Sequence, residues 1–300
     1  MRATDPRNRL SLRFWGVRGS CPSPGPATAG VGGNTSCVQV SVGDEHVILD
    51  GGTGLRALGN ELSARGPVRA SLLFSHVHWD HIQGVPFFAP IFRTDTRLAV
   101  YGAPEEGTIE AALIKQMTGP SFPVPFDQLP AALRFETVEP GEPFAVGRFR
   151  VRAAALNHPN GVLAYRLEAG GRSIVYATDT EHYAGQIDRS LVDLARNADV
   201  LIYDAQYTPD EYRGSCGCAR IGWGHSTWVE GVRVARAAGV GQLILFHHDP
   251  SHDDAAVAEI EQLAAAELPG TIAAREGLAI DLELEAPRAP GRRASTVPPL

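Results

Sequence analysis

His76-Val77-His78-Trp79-Asp80-His81 sets three imidazoles and one carboxylate within six residues, directly after the apolar run Ala70-Ser71-Leu72-Leu73-Phe74. Neutral imidazole and carboxylate together suit a borderline divalent cation such as zinc. Four such groups exceed what one tetrahedral ion needs once further ligands arrive from elsewhere, so the spacing points to two metals. An exposed polar loop that happens to hold histidines is the plainer alternative. With 10 histidines in the whole chain, a chance cluster this dense is the weaker reading.

Three other short apolar runs end in a candidate ligand. Arg150 to Leu156 leads through Asn157 to His158, and Ser173 to Thr178 leads to Asp179. Gln242 to Phe246 leads to His247, with His248 and Asp249 behind it. Short aliphatic and β-branched runs bounded by Gly, Pro or Asn read as buried strands. A rigid sheet positions residues on loops at its strand ends. Singly, each of these residues is also explained as an ordinary turn residue or a satisfied polar group. Together with the opening cluster they predict four strands delivering His or Asp at one end.

The order His-x-His-x-Asp-His, then His158, Asp179 and His247, resembles the metallo-β-lactamase fold in its phosphodiesterase and ribonuclease Z-like branch, from about Leu12 to Leu282. The resemblance implies an α+β fold: a four-layer αββα sandwich of two mixed β-sheets with two metals in a cleft at one edge. It further implies that His76, His78 and His158 hold one ion and Asp80, His81 and His247 the other, with Asp179 bridging. His247 is preferred to His248 because it directly follows the strand. The two cofactor ions are expected to be zinc, with manganese or iron accepted by the same ligands. Phe14 to Ser20 with Gly32 to Ser36, and Leu49 to Gly54, resemble the glycine-rich loops of the same branch. Glycine there lets backbone approach a ligand closely, although ordinary turns would use it too. The resemblance also implies a catalytic pair near the scissile phosphate, carried onto Asp204 and onto His225 of Gly224-His225-Ser226-Thr227. A carboxylate beside an imidazole fixes its tautomer and favours the imidazolium. The alternative for this segment is a helix start capped by Ser226 or Thr227.

Length and composition predict one globular domain over 1–285, since 44% hydrophobic and 20% charged residues are ordinary for a soluble enzyme. Residues 86–143, rich in Pro and aromatics, read as an insertion near the cleft with a helix from Pro104 to Met117. That insertion is equally a substrate wall, a structural cover or an oligomer contact. Further helices are expected over Thr227–Ala238 and Asp253–Ala266, and a disordered tail over 286–300. No apolar run approaches the roughly 20 residues of a membrane span, and the start lacks a signal-peptide core. Cys21, Cys37, Cys216 and Cys218 are too sparse for a disulfide scaffold, so free thiols and a cytoplasmic location are expected. Cys216 and Cys218, with Cys21, also allow half of an accessory zinc site.

The substrate is harder to read. The formal charge is −7 and no basic run stands out before Arg292-Arg293, so a polynucleotide is not the expected partner. Ribonuclease Z enzymes often carry a long arm between the counterparts of His158 and Asp179, and this chain has only about twenty residues there. A small phosphodiester, a cyclic nucleotide or cyclic sugar phosphate, fits better. A thioesterase, lactonase, sulfatase or β-lactam hydrolase of the same fold, a ribonuclease Z-like nuclease, an oxygen-reducing di-iron protein and a non-catalytic metal-binding protein stay open as alternatives. The resemblance also implies a homodimer, the state of many relatives.

Overall fold

The computed structural model describes residues 8–103, 108–215 and 217–285. The first half runs β1 (Arg9–Gly16), β2 (Cys37–Val42), β3 (Glu45–Leu49), α1 (Leu55–Arg65), β4 (Arg69–Leu73), the one-turn α2 (Trp79–Ile82), β5 (Arg97–Gly102), α3 (Ile109–Gln116) and β6 (Ala132–Thr137). The second runs β7 (Phe144–Val146), β8 (Phe149–Leu156), β9 (Val162–Ala169), β10 (Arg172–Ala177), α4 (Arg189–Ala195), β11 (Val200–Asp204), α5 (Pro209–Arg213), α6 (Trp228–Ala238), β12 (Gln242–Phe246), α7 (Asp254–Glu267), β13 (Ile272–Ala273) and β14 (Ala279–Glu283).

Two seven-stranded mixed sheets result, in the orders β14-β1-β2-β3-β4-β5-β6 and β13-β12-β11-β10-β9-β8-β7. The last strand crosses back to pair antiparallel with β1 and closes the first sheet. In β1, Leu10, Leu12 and Phe14 are buried while the intervening residues are partly exposed, the alternation of a strand with one face on a core. All five residues of β11 are buried, because helices cover its second face.

Three apolar layers separate four structural ones. Leu12, Phe14 and Leu49 meet Val151, Tyr165 and Phe246 between the sheets. Leu55, Leu58 and Leu62 of α1 pack on Ile48 and Leu72. Leu191 and Leu194 of α4 and Val232 and Ala235 of α6 cover Val175, Leu201 and Leu243. This is the αββα sandwich that the resemblance implies.

Expected helices end where their caps dictate. Thr227 Oγ1 accepts from Glu230 N to start α6, and Gly239 closes it in the left-handed region at φ 67°. Asp253 caps α7. Thr108 caps α3, so that helix is shorter than the span expected from Pro104, and 104–107 lie outside the described residues. The 286–300 segment and Cys216 also lie outside them.

Residues 86–143 differ from a simple insertion. β5 and β6 extend the first sheet in parallel register from β4. The polar, half-exposed pattern of Ala132–Thr137, an edge strand, hides it from a reading of hydrophobic runs.

Candidate metal centre and catalytic pair

The C-terminal ends of strands from both sheets converge at one edge of the sandwich. β3 delivers Asp50, β4 leads to Ser75 and His76, β8 to His158, β10 to Asp179, β11 ends in Asp204, and β12 leads to His247. Asp50, Asp179 and His247 all have positive φ, at 59°, 52° and 61°, as the chain turns sharply off each strand. Non-glycine residues adopt this region at a cost of about 1–3 kcal/mol, and such residues cluster at functional sites.

Among the described residues four overlapping groups of ligand atoms form, two of them through His225, and the other two match the expected ligands. His76, His78 and His158 make one, and Asp80, His81, Asp179 and His247 the other, each with its atoms within 4.8 Å of one another. In the second group, His81 Nε2 lies 3.2 Å from both Asp80 Oδ2 and Asp179 Oδ2. His247 Nε2 lies 3.2 and 3.3 Å from the same two oxygens and 3.3 Å from His81 Nε2. A regular tetrahedron with such edges has its centre about 2.0 Å from each corner, which is a zinc–nitrogen or zinc–oxygen bond length. In the first group, His158 Nε2 is 3.1 Å from His78 Nδ1. Asp179 faces both groups, with Oδ2 in the second and Oδ1 3.7 Å from His76 Nε2.

The imidazoles are turned for this purpose. His81 Nδ1 donates to Asp50 Oδ2 at 2.8 Å, His247 Nδ1 to Gln206 Oε1 at 2.9 Å, and His158 Nδ1 to Gly224 O at 2.8 Å. His76 Nδ1 donates to Ser75 Oγ at 3.0 Å, while that hydroxyl donates to Asp50 Oδ2 at 2.8 Å. In each of these four rings Nδ1 carries the proton, so the Nε2 lone pair is presented to the cluster, whereas His78 turns Nδ1 toward it. His76 Nε2 is buried with no hydrogen-bond partner. A buried polar atom left so is costly unless it ligates an ion.

Charge leads to the same conclusion. Burial, then the neighbouring His81 imidazole, holds His76 well below the ordinary histidine range, in the neutral form a metal needs. Burial also opposes charge on His81, but Asp179, Asp80 and Asp50 overrule it and push its pKa up. Burial would raise Asp80, yet His81 and His247 hold it far below the usual carboxylate range. A site that draws a proton onto a fully buried imidazole has a demand for positive charge, which a divalent cation meets. The residues present fit two such ions.

His247 and His248 are separated clearly. His247 enters the cluster, whereas His248 Nε2 donates to Ala274 O at 2.9 Å, and burial lowers its pKa to about 3. Close backbone approach also matters. A Cβ on Gly19 would sit 2.5 Å from His247 Nδ1, and one on Gly224 would sit 2.3 Å from His158 Nδ1.

Asp204 and His225 come together beside the cluster. His225 Nδ1 donates to Asp204 Oδ2 at 2.9 Å, leaving Nε2 as its available atom. Burial opposes its charge, and Asp204, then Asp179 and Asp80, raise its pKa to about 9. Cations held by Asp179 and Asp80 would draw that value down, so Asp204 is the partner that lasts. His225 also lies within ligand reach of His158 and Asp179.

Residues 45–248 match the model described as the beta-lactamase superfamily domain. The chain belongs to that family. The metallo-β-lactamase fold is shared with Bacillus subtilis YhfI, a metallo-beta-lactamase fold protein whose structure superposes with a TM-score of 0.70 at 22% identity, covering 91% of this chain and 99% of that one. A new diphosphatase from the PhnP family superposes at 0.67 with 18% identity, covering 92% and 99%. Ribonuclease Z of Thermoplasma acidophilum is 25% identical over 83% of this chain and 90% of its own length. The protein is thus a hydrolase of the metallo-β-lactamase fold.

Several supporting residues escape a reading of motifs. Asp50 sits in the quoted loop Leu49–Gly54, but its role depends on His81. Gln206 lies 41 residues from the histidine it orients. Glu181 accepts from Gly222 N, Gly224 N and Tyr212 OH, and so ties down the loop that carries His225. Only their position in the fold reveals them. Among the described residues, Cys21, Cys37 and Cys218 are free thiols and lie in neither ligand group. No helix among the described residues is long and apolar enough to cross a membrane.

Proposed function

We propose that this protein is a dinuclear metal-dependent phosphodiesterase acting on a small phosphodiester, a cyclic nucleotide or cyclic sugar phosphate. The observation that carries the reading is the Asp204–His225 pair beside the ligand clusters. A thioester or lactone hydrolase has no need of an imidazole fixed by a carboxylate beside its metals.

His76, His78 and His158 would hold one ion, Asp80, His81 and His247 the other, and Asp179 both. Two bound divalent ions would supply a water acidified to near-neutral pKa and a Lewis acid for a phosphoryl oxygen. Zinc is the proposed metal, on the N/O donor set. Asp80, whose Oδ2 accepts the Ser20 N–H at 2.8 Å, would orient the attacking water while helping to hold its ion. His225 would place Nε2–H at the phosphoryl group, where it either binds an equatorial oxygen or gives its proton to the leaving alkoxide. Asp204 keeps the opposite nitrogen protonated and aims the ring.

A ribonuclease Z-like nuclease is the second reading, favoured by the relative of that name. Against it, β9 and β10 form a hairpin joined only by Gly170 and Gly171, so His158 and Asp179 are bridged without an added arm. The chain's formal charge of −7 also argues for a small substrate over a polynucleotide; a homodimer is proposed on the resemblance, and a cytoplasmic location on the sparse cysteines.

Hydrolysis of bis(p-nitrophenyl) phosphate by zinc- or manganese-loaded protein tests the proposal, with Asp80→Ala as control. Turnover that vanishes in the variant is expected. No turnover from protein shown to hold two metals would move the assignment to another ester class.

A further inference from the structure

A pocket of about 400 Å³ opens beside His225 and is lined also by Ser20, Gln206, Tyr207, Arg220 and Trp223. It continues the candidate site, because Ser20 N donates to Asp80, Gln206 orients His247, and His225 faces both. A diester with its phosphate at the cluster and the Nε2 of His225 therefore places one ester arm here.

The walls of the pocket are specific. Trp223 leaves 54% of its surface exposed, and the adjoining Ile221 62%. The backbone beneath the indole is fixed, since Glu181 binds the N–H groups of Gly222 and Gly224 at 2.7 and 2.9 Å. Arg220 is equally fixed, with Nη1 3.0 Å from Asp249 Oδ2. Asp249 in turn accepts from Ser251 N and Oγ. The guanidinium lies 4.8 Å from the Tyr207 ring and 5.8 Å from the Trp223 ring. A solvent-facing indole with a guanidinium over its ring offers a planar stacking surface with N–H donors beside it. Bases stack on such surfaces with little regard to sequence.

We propose that this pocket is a nucleobase subsite, with Trp223 as the stacking surface and Arg220 donating to polar atoms on the base edge. The inference rests on the phosphodiesterase reading and narrows its substrate from small diesters in general to nucleotides.

Calorimetric titration of the zinc-loaded protein with the four common ribonucleoside 5′-monophosphates, and with ribose 5-phosphate as the probe lacking a base, tests it. At least one nucleotide is expected to bind about tenfold or more tighter than ribose 5-phosphate, the range for stacking one base. Trp223→Ala should bring the two affinities together while leaving that for ribose 5-phosphate unchanged, and Trp223→Phe should keep most of the difference. No base preference in the wild type, or a preference that survives Trp223→Ala, overturns the subsite. Turnover of bis(p-nitrophenyl) phosphate on the same preparations separates the two ideas. Turnover without base preference defeats only the subsite, and base preference without turnover defeats only the phosphodiesterase reading.

Discussion

His81 Nδ1 lies 2.8 Å from Asp50 Oδ2, and that hydrogen bond turns the imidazole so that Nε2 faces Asp80, Asp179 and His247. The same carboxylate accepts from Ser75 N, Ser75 Oγ and Tyr176 OH, so it is held from both sheets. Asp50 is therefore a positioning residue for the cluster.

Asp50→Asn should lower metal affinity about 10–100-fold, the usual effect of losing a group that orients a ligand. Competition with a chelating dye measures it. Unchanged affinity would make Asp50 a packing residue only.

Stripping the metals with chelator should lower the thermal midpoint. Ions at about 100 times their dissociation constant stabilise by about 2.7 kcal/mol, and more when tighter. Calorimetry before and after reloading zinc should show a fall of several degrees and its recovery. A midpoint indifferent to metal would remove the cations from the fold's stability.

His225→Ala should cut turnover about 10²–10⁴-fold while both metal equivalents remain. Loss of an ion instead would make His225 a ligand. Asp204→Asn should act through the same group, so the double variant should be little worse than either single one. The pH profile adds a sign. Asp204 raises the His225 pKa, so removing its charge lowers that pKa. The acid form is then lost earlier as pH rises, and the alkaline limb of kcat should move to lower pH.

Gly224→Ala should cost one of two metals. Its φ of +86° is matched by +84° at Gly222, so what sets it apart is the added Cβ, which would press on the His158 ring at 2.3 Å. Metal analysis is expected to give close to one ion per chain, while Gly222→Ala, with open space around its Cβ, should keep two.

Much of the site is legible in the chain itself. The His76–His81 cluster is contiguous, and a contiguous motif needs no tertiary knowledge. His158, Asp179 and His247 are legible because aliphatic runs announce the strands they follow. Asp50, Gln206 and Glu181 are not, because their partners lie 31, 41 and more than 40 residues away, and many polar residues in turns look alike. The strands within 86–143 were obscured for a related reason: an edge strand with a polar face carries little hydrophobic signal.

By itself the sequence determined which ligand types exist, their order, and that buried strands deliver them, because strand periodicity and turn chemistry are local properties. The tertiary structure decided that His81 and His247, 166 residues apart, stand with nitrogens 3.3 Å from each other. It also decided which ring nitrogen of each histidine is free. His247 takes a φ of +61° as β12 ends, which sends its ring to the cluster and that of His248 toward Ala274. Such choices follow from how two sheets pack face to face, and only the completed core fixes that packing.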